Sequence, residues 1–141
     1  MVEEKIAQIE LDNLVFYLKN KLKEKNIYLN KYHAQKALFK IKMDLGEDHP
    51  LYDCLPYYWY YYGPFSEPVA DSFNYILDNR GDFTPKDISI EYPEVEDIVN
   101  GLIKNKNFFY NELPKFIYKK YAPYAVLYDF PFNIYDFAAK K

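Results

Sequence analysis

The residues that could do chemistry cluster around one turn. His49 has Asp44, Glu47, Asp48 and Asp53 nearby, and Cys54 lies five positions further on. Imidazole and carboxylate groups are metal ligands, and a thiol beside an imidazole is the start of a nucleophile–base pair. Neither reading is complete. Acidic residues around a turn are ordinarily solvated, and no third group orients His49 toward Cys54. His33 stands sixteen positions away. Paired cysteines at zinc spacing are absent, and four glycines in the whole chain leave no glycine-rich phosphate loop. The sequence therefore assigns no catalytic, metal-binding or cofactor-binding residue; the expected activity is not enzymatic, and an enzyme of unknown chemistry, using Asp/Glu and Tyr groups brought together by folding, is the third reading.

A second cluster is aromatic. Residues 55–62 read Leu-Pro-Tyr-Tyr-Trp-Tyr-Tyr-Tyr, in a chain with 17 Tyr and 11 Phe among 141 residues. Aromatic residues favour strands. A strand over 55–62 places Leu55, Tyr57, Trp59 and Tyr61 on one side and Tyr58, Tyr60 and Tyr62 on the other. Pro56 belongs at its start, since it cannot donate to a ladder. The run has three readings: sheet or core packing, a face for a protein partner, and base stacking on nucleic acid. Stacking comes last, because stacking proteins pair their aromatics with a basic groove and this region is acidic. The contact candidates are Tyr58, Trp59, Tyr60 and Tyr62. Lysine, tyrosine and asparagine richness with a single arginine, Arg80, also matches the codon bias of an AT-rich genome.

Elements must hold these residues in place. Residues 3–25 repeat apolar side chains at helical spacing through Ile6, Leu11, Leu14, Val15, Leu18 and Leu22. Glu3 and Glu4 at the start and lysines at the end suit the helix dipole, and Asn26-Ile27-Tyr28 forms the exit. Asn30 caps a second helix, which uses Ala34, Ala37, Leu38, Ile41 and Leu45 and stops at Gly46. Gly63-Pro64-Phe65 is expected as a turn. Ser66 then caps a third helix with Val69, Phe73, Ile76 and Leu77 inside. Residues 79–81 end it. Ile88 and Ile90 alternate like a short strand. Pro93 or Glu94 opens a fourth helix, and Asn111 caps a fifth with Pro114 in its first turn. The aromatic tail, broken at Pro123 and Pro131, is expected to pack on the body. The fold class is mainly α (α+β): about five helices with a short antiparallel β element, in one domain over 1–141.

Charge bounds the partners. Residues 1–45 carry nine Lys against six acidic residues, residues 46–100 carry two basic against twelve acidic, and residues 101–141 carry seven Lys against three acidic. An acidic middle and a pI near 5.4 do not form the basic footprint of a nucleic-acid binder. A winged-helix arrangement using Lys31, Lys36, Lys40 and Lys42 on the second helix is the alternative to a protein partner. No apolar run approaches membrane-spanning length. The charged first residues lack the apolar core of a secretory signal, and one cysteine allows no internal disulfide. A cytoplasmic setting is expected. Homodimerisation is compatible with the tyrosine content.

Two motifs carry a resemblance. Lys36-Ala37-Leu38-Phe39 in the second helix, and Tyr62-Gly63-Pro64-Phe65-Ser66 after the aromatic run, resemble the Panacea antitoxin domain and related small prokaryotic and viral proteins, across roughly residues 35–77. Ala37 stands where leucine is commoner. The resemblance implies a compact, mainly helical domain with a small β element. It also implies a non-catalytic protein-binding role, antitoxin-like or adaptor-like, with no cofactor. Within the motif, Gly63 relieves the backbone, Pro64 stiffens it and Ser66 caps the following helix.

Overall fold

A computed structural model describes residues 2–60, 63–78 and 84–127, with side chains over 7–59, 63–77 and 84–122. Six α-helices and a two-stranded antiparallel sheet make up these residues. They are α1 (Val2–Glu24), α2 (Lys31–Leu45), β1 (Tyr58–Tyr60), β2 (Gly63–Phe65), α3 (Glu67–Asp78), α4 (Ile88–Glu91), α5 (Pro93–Leu102) and α6 (Leu113–Leu127), with a 3-10 turn over Tyr52–Cys54. The mainly α expectation with a short β element holds. No helix among the described residues is long and apolar enough to cross a membrane.

α1 buries Leu11, Leu14, Val15, Leu18 and Leu22 on one stripe, as the spacing requires. Asn26 ends it in the left-handed region at φ 59°. The Ile27 N–H donates to the Leu22 carbonyl at 2.9 Å and the Asn26 N–H to the Lys23 carbonyl at 3.0 Å, which satisfies two orphan carbonyls of the last turn.

α2 is the central helix. Asn30 Oδ1 accepts from the His33 N–H at 2.8 Å, and Gly46, at φ 86°, closes the far end. Ala34 to Phe39, Ile41 and Lys42 are all buried, because α3, α5, α6, β2 and the 3-10 turn surround the helix rather than covering one stripe. Phe39 is fully enclosed and meets Tyr57 and Tyr121 edge-on, with ring centroids 5.3 and 5.0 Å apart.

Several boundaries depart from the sequence pattern. The strand is three residues long rather than eight. Leu55 and Tyr57 precede it as core side chains, 0% and 2% exposed. Gly63-Pro64-Phe65 is not a turn but the second strand, pairing Tyr58 with Phe65, Trp59 with Pro64 and Tyr60 with Gly63. A two-stranded sheet has only edges, so Pro64 is tolerated. Ile88 and Ile90 lie in a one-turn helix, not a strand. Asp87 Oδ1 caps it by accepting from the Ser89 N–H at 2.9 Å, and only Ile88 is buried while Ile90 is 80% exposed. Leu77 leaves the α3 stripe and is partly exposed. The expected helix end over 79–81 lies outside the described residues, as does the tail over 128–141. α6 runs through Pro123, whose missing N–H orphans only the carbonyl of Lys119, an exposed residue that water can reach.

The last helical stretch also begins earlier than Asn111. Asn105 Oδ1 caps it by accepting from the Phe108 N–H at 2.8 Å, and a π turn over Phe108–Glu112 leads into α6. The reason is Pro114. It cannot donate to the Tyr110 carbonyl four residues back, and a π turn absorbs the break. His33 Nε2 fills the vacancy, donating to that carbonyl at 3.0 Å. The Tyr110 hydroxyl clamps the α1–α2 connection, accepting from the Tyr28 N–H at 2.7 Å and donating to the Tyr28 carbonyl at 2.6 Å.

Candidate functional site

The two sequence motifs meet in space, and Gln35 joins them. Gln35 Nε2 donates to the Ser66 carbonyl at 2.9 Å, and Gln35 Oε1 accepts from the Ser66 N–H at 2.9 Å. One amide thus bonds both backbone groups of a residue with no exposure, and the carbonyl also accepts from the Ala70 N–H at 3.1 Å. Ser66 Oγ in turn accepts from the Val69 N–H at 3.3 Å and caps α3. The Tyr57 hydroxyl donates to the Gln35 carbonyl at 2.9 Å. Ser72 Oγ, on the buried side of α3, donates to Asp12 Oδ1 of α1 at 2.6 Å. The hairpin is therefore fixed to α2 and α3 at its base.

Lys36, one position on, runs beneath the hairpin. It is 3% exposed. Its Nζ lies 4.8 Å from the Tyr32 ring centre, within cation–π range. Gly63 has φ 109°, and a Cβ there would sit 2.5 Å from Lys36 Nζ. Leu38 and Phe39 are core, and Pro64 is buried. The structural part of the motif is thus a packing unit: α2 supplies an amide and an amine, and β2 supplies a bare backbone against them.

The contact candidates divide. Tyr58 and Trp59 are half-buried and lean on the core. Tyr58 lies against Phe65 with ring centroids 5.6 Å apart. Trp59, on the opposite face of the strand, lies 5.6 Å from Tyr118 of α6. Burial, and secondarily Glu67, push the Tyr58 hydroxyl up to about 12, so it stays a neutral hydrogen-bonding group. The Tyr60 side chain and Tyr62 lie outside the described residues. Sequence reasoning missed Tyr118, which is 51% exposed beside Phe116 at 43%. Nothing in a helical tyrosine signals that it will meet a strand.

The turn chemistry takes a different form from the one the sequence allowed. His49 Nδ1 accepts from the Leu51 N–H at 3.0 Å, and its Nε2 donates to Glu94. Both nitrogens are engaged away from Cys54. Burial raises the Cys54 thiol to about 11, with Glu10 and Asp53 adding to it, so the nucleophilic thiolate is scarce at neutral pH. No group of three or more metal-ligating side chains is gathered among the described residues.

Three of the four α2 lysines are unsuited to a phosphate backbone. Lys36 and Lys42 are each 3% exposed. Lys40 pairs with Asp44 at 2.6 Å. Lys42 donates to the Tyr52 and Leu55 carbonyls and packs over the Tyr52 ring. Lys31 alone remains exposed. Comparison with known proteins adds nothing to this geometry. No family model, no curated protein and no solved structure matches the chain.

The buried lysines give a pH prediction. Burial lowers both amines from 10.5 to about 8. Between those values the unfolded chain holds more protons than the folded one, so stability rises with pH. The unfolding free energy in urea should climb between pH 8 and 9.5, by up to about 1.4 kcal/mol per pH unit for each lysine. Above pH 10 the trend reverses, because burial holds the Tyr57 hydroxyl well above 10 and the unfolded chain ionises first. Lys36→Met and Lys42→Met should each flatten the rise. An unchanged slope in both variants contradicts the assignment.

Proposed function

We propose that this protein is a non-catalytic binding module whose partner is another protein, with the aromatic hairpin and the adjoining face of α6 as the contact. The observation that carries the reading is two half-exposed aromatic contacts at the hairpin: Phe65 with Tyr58 on one face, and Trp59 with Tyr118 of α6 on the other. Tyrosine and tryptophan supply large contact area at low entropic cost and are enriched at interface hot spots. The hairpin is rigidly based by the Gln35–Ser66 clamp, so little ordering is lost on binding. Lys115, Lys119 and Lys120 are exposed on α6, and the exposed carboxylate of Glu112 lies in the π turn before it. The complementary partner surface is an apolar patch with an acidic rim. The resemblance of residues 35–77 to the Panacea antitoxin domain supports the same reading, and antitoxin-like or adaptor-like action in the cytoplasm is its specific form.

The test is capture of partners from native lysate on tagged protein, with nuclease and without, run in parallel on Tyr118→Ala and Tyr58→Ala. A stoichiometric protein that survives nuclease and falls at least about tenfold in the variants, with helical circular dichroism retained, is the expected result. Equal capture by the variants sinks the proposed surface. Recovery of nucleic acid, with proteins lost after nuclease, moves the reading to a nucleic-acid-binding regulator.

A further inference from the structure

A cavity of about 230 Å³ opens between the N-terminal half of α2, strand β2 and α3. Three aromatic residues line it, one from each element: Tyr32 of α2, Phe65 of β2 and Phe73 of α3. Val69 and Ala70 of α3 complete the apolar wall. The polar groups of the lining are committed elsewhere. Gln35 gives its Nε2 and its Oε1 to Ser66. Lys36 Nζ stands 4.8 Å from the Tyr32 ring centre. The Ala34 N–H donates to the Asn30 carbonyl at 2.8 Å, and the Ala70 N–H to the Ser66 carbonyl at 3.1 Å. The Val69 N–H donates to Ser66 Oγ at 3.3 Å, and Pro64 has no N–H to offer. Lys31 is exposed, so its ammonium stays in water.

These walls select a chemistry. A cavity holds a water molecule well when it offers about two to four polar partners. With the lining groups already bonded, water here is poorly held, and an apolar group that displaces poorly held water gains affinity. A peptide segment would leave its N–H and C=O groups unpaired against these walls. A charged head would give up its hydration among hydrocarbon, and a cation would also meet the amines of Lys36 and Lys31. A neutral ring incurs none of these costs. Rings in edge-to-face or offset contact gain affinity beyond the area they bury, and three rings are on offer. An apolar cavity of about 150 Å³ already holds a molecule the size of benzene, so this volume suits one ring with a short substituent.

We propose that the cavity between α2, β2 and α3 is a binding site for a small neutral aromatic molecule, with its ring against Phe65, Phe73 and Val69. Any polar substituent lies at the mouth beside Tyr32, which is half-exposed. The site does not depend on the protein-binding reading. Because Phe65 belongs both to its wall and to the aromatic hairpin, an occupant would sit directly behind the proposed contact.

The probes are 4-methylphenol, its saturated match 4-methylcyclohexanol and its anionic match 4-methylbenzoate, titrated into the 15N-labelled full chain. Backbone amide shifts from 4-methylphenol should concentrate at Ala34, Gly63, Val69 and Ala70. It should bind at least about threefold more tightly than 4-methylcyclohexanol, and at least as tightly as 4-methylbenzoate. Ala70→Trp, which fills the cavity, should abolish these shifts while the rest of the spectrum is retained. Phe65→Leu, at a half-buried position, keeps an apolar wall but removes one ring, and should bring the preference for the aromatic probe below about twofold. No shifts, shifts located elsewhere, equal affinity for the aromatic and saturated probes, or tighter binding of the benzoate would each overturn the proposal. So would unaltered binding by Ala70→Trp or an unchanged preference in Phe65→Leu.

Discussion

Gly63→Ala should destabilise the protein by about 2–3 kcal/mol, read as the unfolding free energy in urea. The larger part is backbone. At φ 109° a residue with a Cβ lies beyond the ordinary left-handed well, in territory that only glycine occupies cheaply, and such placements cost on the order of 1–3 kcal/mol. The smaller part is Lys36. The new methyl would lie 2.5 Å from Nζ, so the amine must withdraw from a place it holds with only 3% exposure. Nζ is the far end of a flexible chain, and withdrawal adds no more than about 1 kcal/mol. A double-mutant cycle separates the two. On a Lys36→Ala background, Gly63→Ala should lose the lysine contribution and keep the backbone one. A total loss below about 0.5 kcal/mol would contradict the placement of Gly63 in β2.

Gln35→Leu should cost about 1–3 kcal/mol. The amide spans both backbone groups of Ser66, and leucine fills similar space without bonding either. The Ser66 N–H then stays buried without a partner, at about 1–3 kcal/mol before relaxation, while the Ser66 carbonyl keeps the Ala70 N–H at 3.1 Å. Gln35→Glu sharpens the test. Glutamate keeps an acceptor for the Ser66 N–H but sets a carboxylate oxygen against the Ser66 carbonyl in a buried place. It should be at least as damaging as leucine despite its matching shape. Gln8 makes the comparison case: its bond to Asp12 lies on a more exposed stretch of α1, and Gln8→Leu should cost less than about 1 kcal/mol. Equal losses at Gln8 and Gln35 would show that the clamp does not anchor the hairpin.

The legible part of this fold is the part governed by local chemistry. The α1 stripe, the Asn26 exit, the Asn30 and Gly46 ends of α2 and the Ser66 cap follow from residue types acting on their own backbone. What tertiary contacts decide was not legible. Alternation at Ile88 and Ile90 suits a strand, yet no strand among the described residues pairs with it, and Asp87 caps a helical turn there instead. Asn111 has the chemistry of a cap, but Asn105 comes first, and His33 compensates a proline that local reasoning uses as a helix start. The candidate site was half visible. Tyr58 and Trp59 stand out in sequence, and the flanking motif marks Lys36 and Gly63. That Lys36 is buried, and that Gln35 is the joint, could not be read from an α2 pattern whose apolar stripe places neither inside. Tyr118 reaches Trp59 only through the packing of α6 on the hairpin.

The central claim is that the hairpin and α6 together form the surface that binds a protein. The most direct measurement is amide hydrogen exchange on the complex captured from lysate, compared with the free protein. Binding at this surface predicts slowed exchange in residues 58–60, 63–65 and 115–121, with α1 and α5 unchanged. Protection confined to other elements, with the hairpin and α6 exchanging as in the free protein, would contradict it.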